Sequence, residues 1–166
     1  MNFDNLQIAP EISEKQIDQL IYFSNNDPEI LQNTTDSKRF KDREAFDVWF
    51  SNPKKIFVLT NEKEELLGII WFPKAELNVK GYKGYGIGFA IRLYQPVRGQ
   101  GLSKSFTQQT IELLKQTDFY KSAQKKGIWL DSLLHNYKAH SLYEKLGFKK
   151  VAELNERAVM ILPKSE

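Results

Sequence analysis

The order of apolar runs and turn signals along this 166-residue sequence predicts a mixed α/β domain. Two β-rich runs flank a short polar connection in the first half, and strands alternate with amphipathic helices in the second. The composition, 41% hydrophobic, 13% aromatic and 27% charged, is that of one ordinary soluble domain. A chain of this length buries roughly two thirds of the surface it exposes when unfolded, so it needs no disulfide or metal to hold it. No repeat, low-complexity tract or Pro/Gly/Ser-rich linker divides it, and residues 1–166 read as a single domain.

Residues 6–9 read as a short first strand, stopped by Pro10. Ser13 followed by Gln16 forms a capping-box pattern, and Ile17, Leu20 and Ile21 continue at helical spacing. A second helix is expected over residues 42–50, with Phe46, Trp49 and Phe50 on one face and Asn52-Pro53 ending it. Residues 56–60 and 66–72, on either side of the turn-forming segment 61–64, read as a hairpin. After a polar loop over 73–83, residues 85–93 form a third apolar run. Gly86 and Gly88 within it signal a bulge or a close approach of another backbone or ligand.

A helix is predicted over 102–116, carrying Leu102, Phe106, Leu113 and Leu114, then a strand over 128–134. Ala139, Leu142, Tyr143 and Leu146 follow at i, i+3, i+4, i+7, the spacing of one buried helical face. Asn136 stands at the N-cap position, Gly147 at the left-handed position past the end, and Phe148 supplies the hydrophobic contact that accompanies it. Residues 158–162 form a last strand, closed by Pro163. Hairpins first and β-α-β-α-β later make a mixed sheet with helices on both faces.

The same residues exclude several chemistries. With no cysteine there is no thiol nucleophile, disulfide or thiolate zinc site. The two histidines, His135 and His140, are five apart and do not share a helical face, so the expectation is no metal. The longest apolar run, residues 66–72, has seven residues against the roughly 20 a membrane span needs. No basic start or apolar stretch of a secretory signal opens the sequence, and the expectation is a cytoplasmic protein without a membrane partner. The net charge of +3 comes from scattered lysine pairs rather than an arginine stripe, which argues against nucleic acid as a partner.

Residues 89–103 are the most informative stretch. A strand enters a turn with two glycines, Gly99 and Gly101, and the turn opens directly into a helix. Such a turn can point successive N–H groups at one spot ahead of the positive end of the helix dipole, a seat for a phosphate. Arg98 would add a bidentate partner. Neither G-x-x-x-x-G-K-[ST] nor G-x-G-x-x-G is present, and a plain strand-to-helix turn remains the alternative.

Arg98-Gly-Gln-Gly101-Leu-Ser103 resembles the R/Q-x-x-G-x-G/A acetyl-CoA signature of the GCN5-related N-acetyltransferase (GNAT) superfamily, with Ser103 in place of the last Gly or Ala. The segment from Asn136 through Ala139, Leu142 and Tyr143 to Gly147-Phe148 is similar to the same family's N-x-x-A-x-x-L-Y-x-x-x-G-F block, in the family's order. The resemblance is carried by residues 85–150. It implies a GNAT-like mixed, mostly antiparallel sheet with a splayed central strand pair and an acetyl-CoA-dependent transfer to an amine. In the family, the pantetheine arm lies along the strand before the signature. That places Ile91, Arg92 and Leu93 along the arm, Arg98, Gly99, Gln100, Gly101, Leu102 and Ser103 around the pyrophosphate, and Asn136 on the arm. Pro96 suits the irregular end of such a strand.

Tyr143 is the residue the resemblance implies as general acid toward the CoA thiolate; periodicity alone reads it as a core aromatic. The 85–93 strand holds no carboxylate, so the base is open among Asp131, His135, Glu76 and a water chain. With no cysteine to carry an acyl group, transfer is expected to be direct. The acceptor, a small-molecule or protein amine, is not named by the sequence, and a homodimer is compatible with it. A non-catalytic acyl-CoA-binding module is the alternative from another class.

Overall fold

The computed structural model describes residues 3–95 and 97–164; Pro96 lies outside them. The chain divides into two compact units, Met1–Ile70 with Ile91–Leu102 and Trp71–Ala90 with Ser103–Glu166.

In the first unit, β1 (Gln7–Ala9) runs antiparallel to β2 (Lys54–Thr60), in register Gln7↔Thr60. The sheet continues through β3 (Leu66–Pro73) to β5 (Ala90–Leu93) in the order β1-β2-β3-β5. The β2–β3 hairpin is closed by Asn61, whose Oδ1 accepts the N–H groups of Lys63 and Glu65 at 3.0 Å each. Residues 56–60 and 66–72 are buried without alternation, the pattern of strands covered on both faces.

Helix α1 (Glu14–Asn26) starts on the expected capping box: the Gln16 N–H donates to Ser13 Oγ, and the Ser13 N–H donates to Gln16 Oε1 at 2.9 Å. The sequence reading left the next stretch unassigned, and the structure fills it with two short helices, α2 (Pro28–Asn33) and α3 (Asp36–Arg39). Asp27 ends α1 and begins α2, its carboxylate accepting from the N–H groups of Glu29 and Ile30 with Pro28 at the first helical position, where a missing N–H costs nothing. Helix α4 (Arg43–Phe50) begins at the cap Asp42 and packs Phe46 against Phe40 and Trp49. Phe50 departs from expectation. Its ring stacks on Phe46, yet it is 52% exposed, because the apolar stripe of an eight-residue helix ends before it.

The second unit holds the sheet β4-β6-β8-β7. β4 (Tyr85–Gly88) is parallel to β6 (Gly127–Leu133), which is antiparallel to β8 (Arg157–Leu162), itself antiparallel to β7 (Lys149–Leu154). The expected mixed, mostly antiparallel arrangement is therefore present, hydrogen-bonded as two four-stranded sheets. The predicted 85–93 strand is divided at Phe89, its first half joining β6 and its second half joining β3. The bulge expected from Gly86 lies between Tyr85 and Ile87. A Cβ on Gly86 would stand 2.8 Å from the carbonyl oxygen of Lys125.

Helix α5 (Leu102–Lys115) buries Leu102, Phe106 and Leu114, whereas Leu113 points outward. The single turn α6 (Asp118–Lys121) follows. Helix α7 (Tyr137–Lys145) ends as its sequence suggests. Gly147 has φ +95°, its N–H donates to Glu144 O, and the Phe148 N–H donates to Tyr143 O at 2.9 Å, the paired bonds of a Schellman motif. Trp71 is core, and Tyr82 packs against Leu77, Val159 and Ile161.

Strand β7 is absent from the sequence reading. It is mostly exposed, and its hairpin with β8 turns on Asn155 and Glu156, at φ +50° and +62°, rather than on a glycine. A two-residue turn with both residues left-handed favours Asn-Gly, so Glu156 carries backbone strain. Glu156→Gly is expected to stabilise the protein by about 1 kcal/mol, raising the thermal midpoint by about 2–4 °C. Differential scanning calorimetry of the variant measures it.

Candidate active site

β5 is the last strand of its sheet. The Tyr94 N–H donates to Leu67 O in β3 at 2.9 Å. Backbone groups alternate direction along a strand, so Arg92 faces β3 with Tyr94, while Ile91 and Leu93 present their N–H and C=O groups on the outer edge. Two arginines meet that edge. Arg92 Nη1 donates to Ile91 O at 2.9 Å, and Arg98 Nε donates to Leu93 O at 3.0 Å.

Beyond Leu93 the chain enters the 98–103 turn. Gly99 and Gly101 have φ +77° and +72°, and a Cβ built on either would meet nothing within 4 Å. Both glycines thus satisfy a left-handed backbone and leave open space in front of it. Leu102, Ser103, Lys104 and Ser105 open the 14-residue helix α5, so their N–H groups have no carbonyl one turn back within the helix. The positive end of that helix dipole suits an anion.

Arg98 is used differently from the sequence expectation. Its guanidinium is not held out toward an anion. It grips the Asp27 carboxylate with both terminal nitrogens, at 2.6 and 3.1 Å, and Nε lies 3.4 Å from Glu29. Burial alone would raise the Asp27 carboxyl, but the Arg98 guanidinium and the Ile30 and Glu29 amides outweigh it and hold the group below the usual carboxylate range.

A second buried pair braces β5. Asp36 is fully buried and accepts from Arg92 Nε at 2.6 Å, Arg92 Nη2 at 3.1 Å and Arg39 Nη1 at 2.5 Å. Desolvation pulls its carboxyl upward, and the two arginines more than reverse this, leaving it below its ordinary value. Tyr94, stacked on Phe23 at 4.5 Å, is also fully buried, and its hydroxyl has no hydrogen-bond partner among the described residues. Burial, with Asp36 and Asp27 adding to it, drives that hydroxyl far above the ordinary tyrosine range.

In the second unit, Asn136 caps α7, its Oδ1 accepting the Ala139 N–H at 3.3 Å while its amide nitrogen takes no part in the cap. Tyr143 is 8% exposed and lies edge-on to Phe89 and Phe148, with ring centroids 6.3 and 6.1 Å away. Of the base candidates, Asp131 accepts from Arg157 Nε at 2.9 Å, Glu76 pairs with Lys125, and His135 lies exposed in the turn before Asn136.

The structure thus brings Ile91, Arg92, Leu93, Arg98, Gly99, Gln100, Gly101 and Leu102 into one unit, with Ser103, Asn136 and Tyr143 in the other. Asp27 and Asp36 escaped the sequence reading. Asp27-Pro28 is a helix-start signal that could have located the α2 cap, but nothing local marks either carboxylate as an arginine partner. Among the described residues no helix is long and apolar enough to cross a membrane, and no group of three His, Cys, Asp or Glu is placed to hold a metal ion.

An edge strand that runs through a glycine turn into a helix N-terminus is an arrangement able to seat an anion. The family profile described as "Acetyltransferase (GNAT) family" matches residues 21–148, drawing on both units, and the chain belongs to that family of acyltransferase enzymes. No curated protein matches it by sequence. Among solved structures it is similar to the Vibrio cholerae spermidine N-acetyltransferase in complex with CoA and spermine, at 16% identity over 95% of this chain and 93% of that one, TM-score 0.68. An aminoglycoside acetyltransferase in complex with coenzyme A gives 18% identity, 94% and 93% coverage and TM-score 0.71. The ribosomal-protein-S5-alanine acetyltransferase of Vibrio fischeri gives 16%, 97% and 93%, and 0.68. At these identities the likeness is one of fold.

Proposed function

We propose that the protein uses acetyl-CoA as donor and transfers the acetyl group directly to an amine. The observation that carries this reading is the 98–103 turn, with Gly99 and Gly101 left-handed, open space in front of both, and the α5 N-terminus behind them. The backbone amides of this turn take the pyrophosphate, and the outward N–H groups of Ile91 and Leu93 pair with the pantetheine arm as an added strand would. The family resemblance assigns Asn136 to the arm, and its amide nitrogen is left over from the α7 cap. The CoA-bound structures of similar fold support this donor.

The amine nitrogen attacks the thioester carbonyl carbon. A C–N bond forms, the C–S bond breaks, the thiolate leaves with a proton from Tyr143, and the amine gives up its own proton to solvent, which returns one to the Tyr143 phenolate. With Asp131 and Glu76 tied into ion pairs, His135 and water are the routes left for the amine proton. A backbone amide directed at the thioester oxygen supplies roughly 3–4 kcal/mol to the transition state. The acceptor belongs to the amine class, with spermidine, aminoglycosides and a protein alanine, named for the proteins of similar fold, the first to screen.

Calorimetric titration of acetyl-CoA and desulfo-CoA at two salt concentrations tests the donor. Dissociation constants of roughly tens of micromolar or tighter are expected, and no binding by the folded protein would refute it. An acceptor screen by thiol release follows. In it Tyr143→Phe is expected to lower turnover about tenfold with donor affinity retained, since a thiol of pKa near ~8.5 is already a fair leaving group and needs only modest help. Unchanged turnover would return Tyr143 to the core.

A further inference from the structure

We propose that Asp27 is a positioning residue for the donor site, setting the phosphate turn from the α1–α2 junction through Arg98; the proposal rests on the acetyl-CoA reading above. One carboxylate serves two structures 71 residues apart. On one side Asp27 fixes the start of α2 by accepting from the Glu29 and Ile30 N–H groups at 3.0 and 3.4 Å. On the other it holds both terminal nitrogens of Arg98, the first residue of the turn. The same guanidinium reaches back to Leu93 O, closing the loop between the end of β5 and the turn. The carboxylate, the guanidinium and the carbonyl therefore form a continuous brace from helix junction to strand edge.

Both side chains are largely buried, 7% exposed for Asp27 and 12% for Arg98. A guanidinium that loses the Asp27 charge in such a place keeps only the half-exposed Glu29 carboxylate, 3.4 Å from Nε, as a charged partner, and a buried charge so poorly matched is drawn outward. It swings toward water, releases Leu93 O and takes its own backbone with it. The amides of the turn then lose the fixed direction that makes a phosphate seat better than solvent.

The test is a double-mutant cycle on desulfo-CoA affinity, with the native protein, Asp27→Asn, Arg98→Gln and the double variant. Asparagine keeps the cap oxygen for α2 and removes the charge. Asp27→Asn is expected to weaken binding at least tenfold in the native background and by less than twofold in the Arg98→Gln background, because the brace is already gone there. A control variant, Leu20→Ala, truncates a fully buried side chain of α1. It is expected to lower the thermal midpoint yet keep the affinity within twofold, which separates positioning from loss of stability.

Equal losses in both backgrounds, unchanged affinity, or tighter binding by Asp27→Asn would each overturn the proposal. The last would mean that Asp27 withholds Arg98 from the phosphate. Should Asp27→Asn fail to fold, Arg98→Gln alone decides, with native affinity overturning the brace. Failure of the native protein to bind desulfo-CoA would instead strike the donor reading itself.

Discussion

Gly101→Val is expected to weaken desulfo-CoA binding by at least about 100-fold. The backbone at Gly101 has φ +72°, where a β-branched residue is a strong outlier and even an unbranched one costs roughly 1–2 kcal/mol. Valine would also fill the open space in front of the turn with two methyl groups, where the proposed ligand approaches the amides. Losing two charge-assisted hydrogen bonds at about 1.5 kcal/mol each already exceeds the ~2.7 kcal/mol that a hundredfold represents. Gly81→Val is the matched control, since Gly81 has φ +93° and equally open surroundings in a different loop. Both variants are expected to lose similar stability, and only Gly101→Val to lose affinity. Equal affinity in the two would remove the 98–103 turn from the donor site.

Asp36→Asn is expected to cost about 3–5 kcal/mol of folding stability, the range for breaking a buried ion pair, and to lower the thermal midpoint by about 6–20 °C. Asp36 is fully buried and answers two guanidinium groups. Removing its charge takes from Arg92, only 14% exposed, the carboxylate that both Nε and Nη2 bind. Against a total of roughly 5–15 kcal/mol this approaches the whole stability of the domain.

The pH dependence follows from the depressed carboxyls of Asp36 and Asp27. The unfolded chain takes up these protons near about pH 3.9. Their contribution is therefore complete above that range and is lost as pH falls through it toward the lower folded values. Thermal midpoints of the native protein between pH 6 and 3 are expected to drop across this window, and those of Asp36→Asn to drop less. Parallel slopes would show that Asp36 is not the group responsible.

What the sequence made legible was local. Ser13 with Gln16, Asn136, and Gly147 with Phe148 mark helix ends because a cap and its partner lie within a few residues. The glycine turn is readable for the same reason. Helix α3 has no side-chain cap bond at Thr35 and only four residues, so neither periodicity nor capping announces it. β7 fails the strand test because it is polar and mostly exposed and its turn lacks glycine. Residue chemistry gave no warning of the two arginine–aspartate pairs, whose partners are 56 and 71 residues apart. Arg98 is the instructive case. The signature located it correctly in the turn, yet its guanidinium answers to a carboxylate on a distant helix junction, which only the tertiary fold determines.

The outer position of β7 also bears on how the protein behaves when concentrated. A strand at the end of a sheet offers its unpaired backbone to any neighbouring chain, and a flat apolar one becomes a template for aggregation. β7 closes the order β4-β6-β8-β7, carries Lys149, Lys150 and Glu153, and is interrupted by a bulge between Lys150 and Ala152. Charged side chains disfavour dry strand-to-strand pairing, and the irregularity breaks the repeat an incoming strand would have to follow. The polar character that hid this strand from the sequence reading also makes it a poor template for a neighbouring chain.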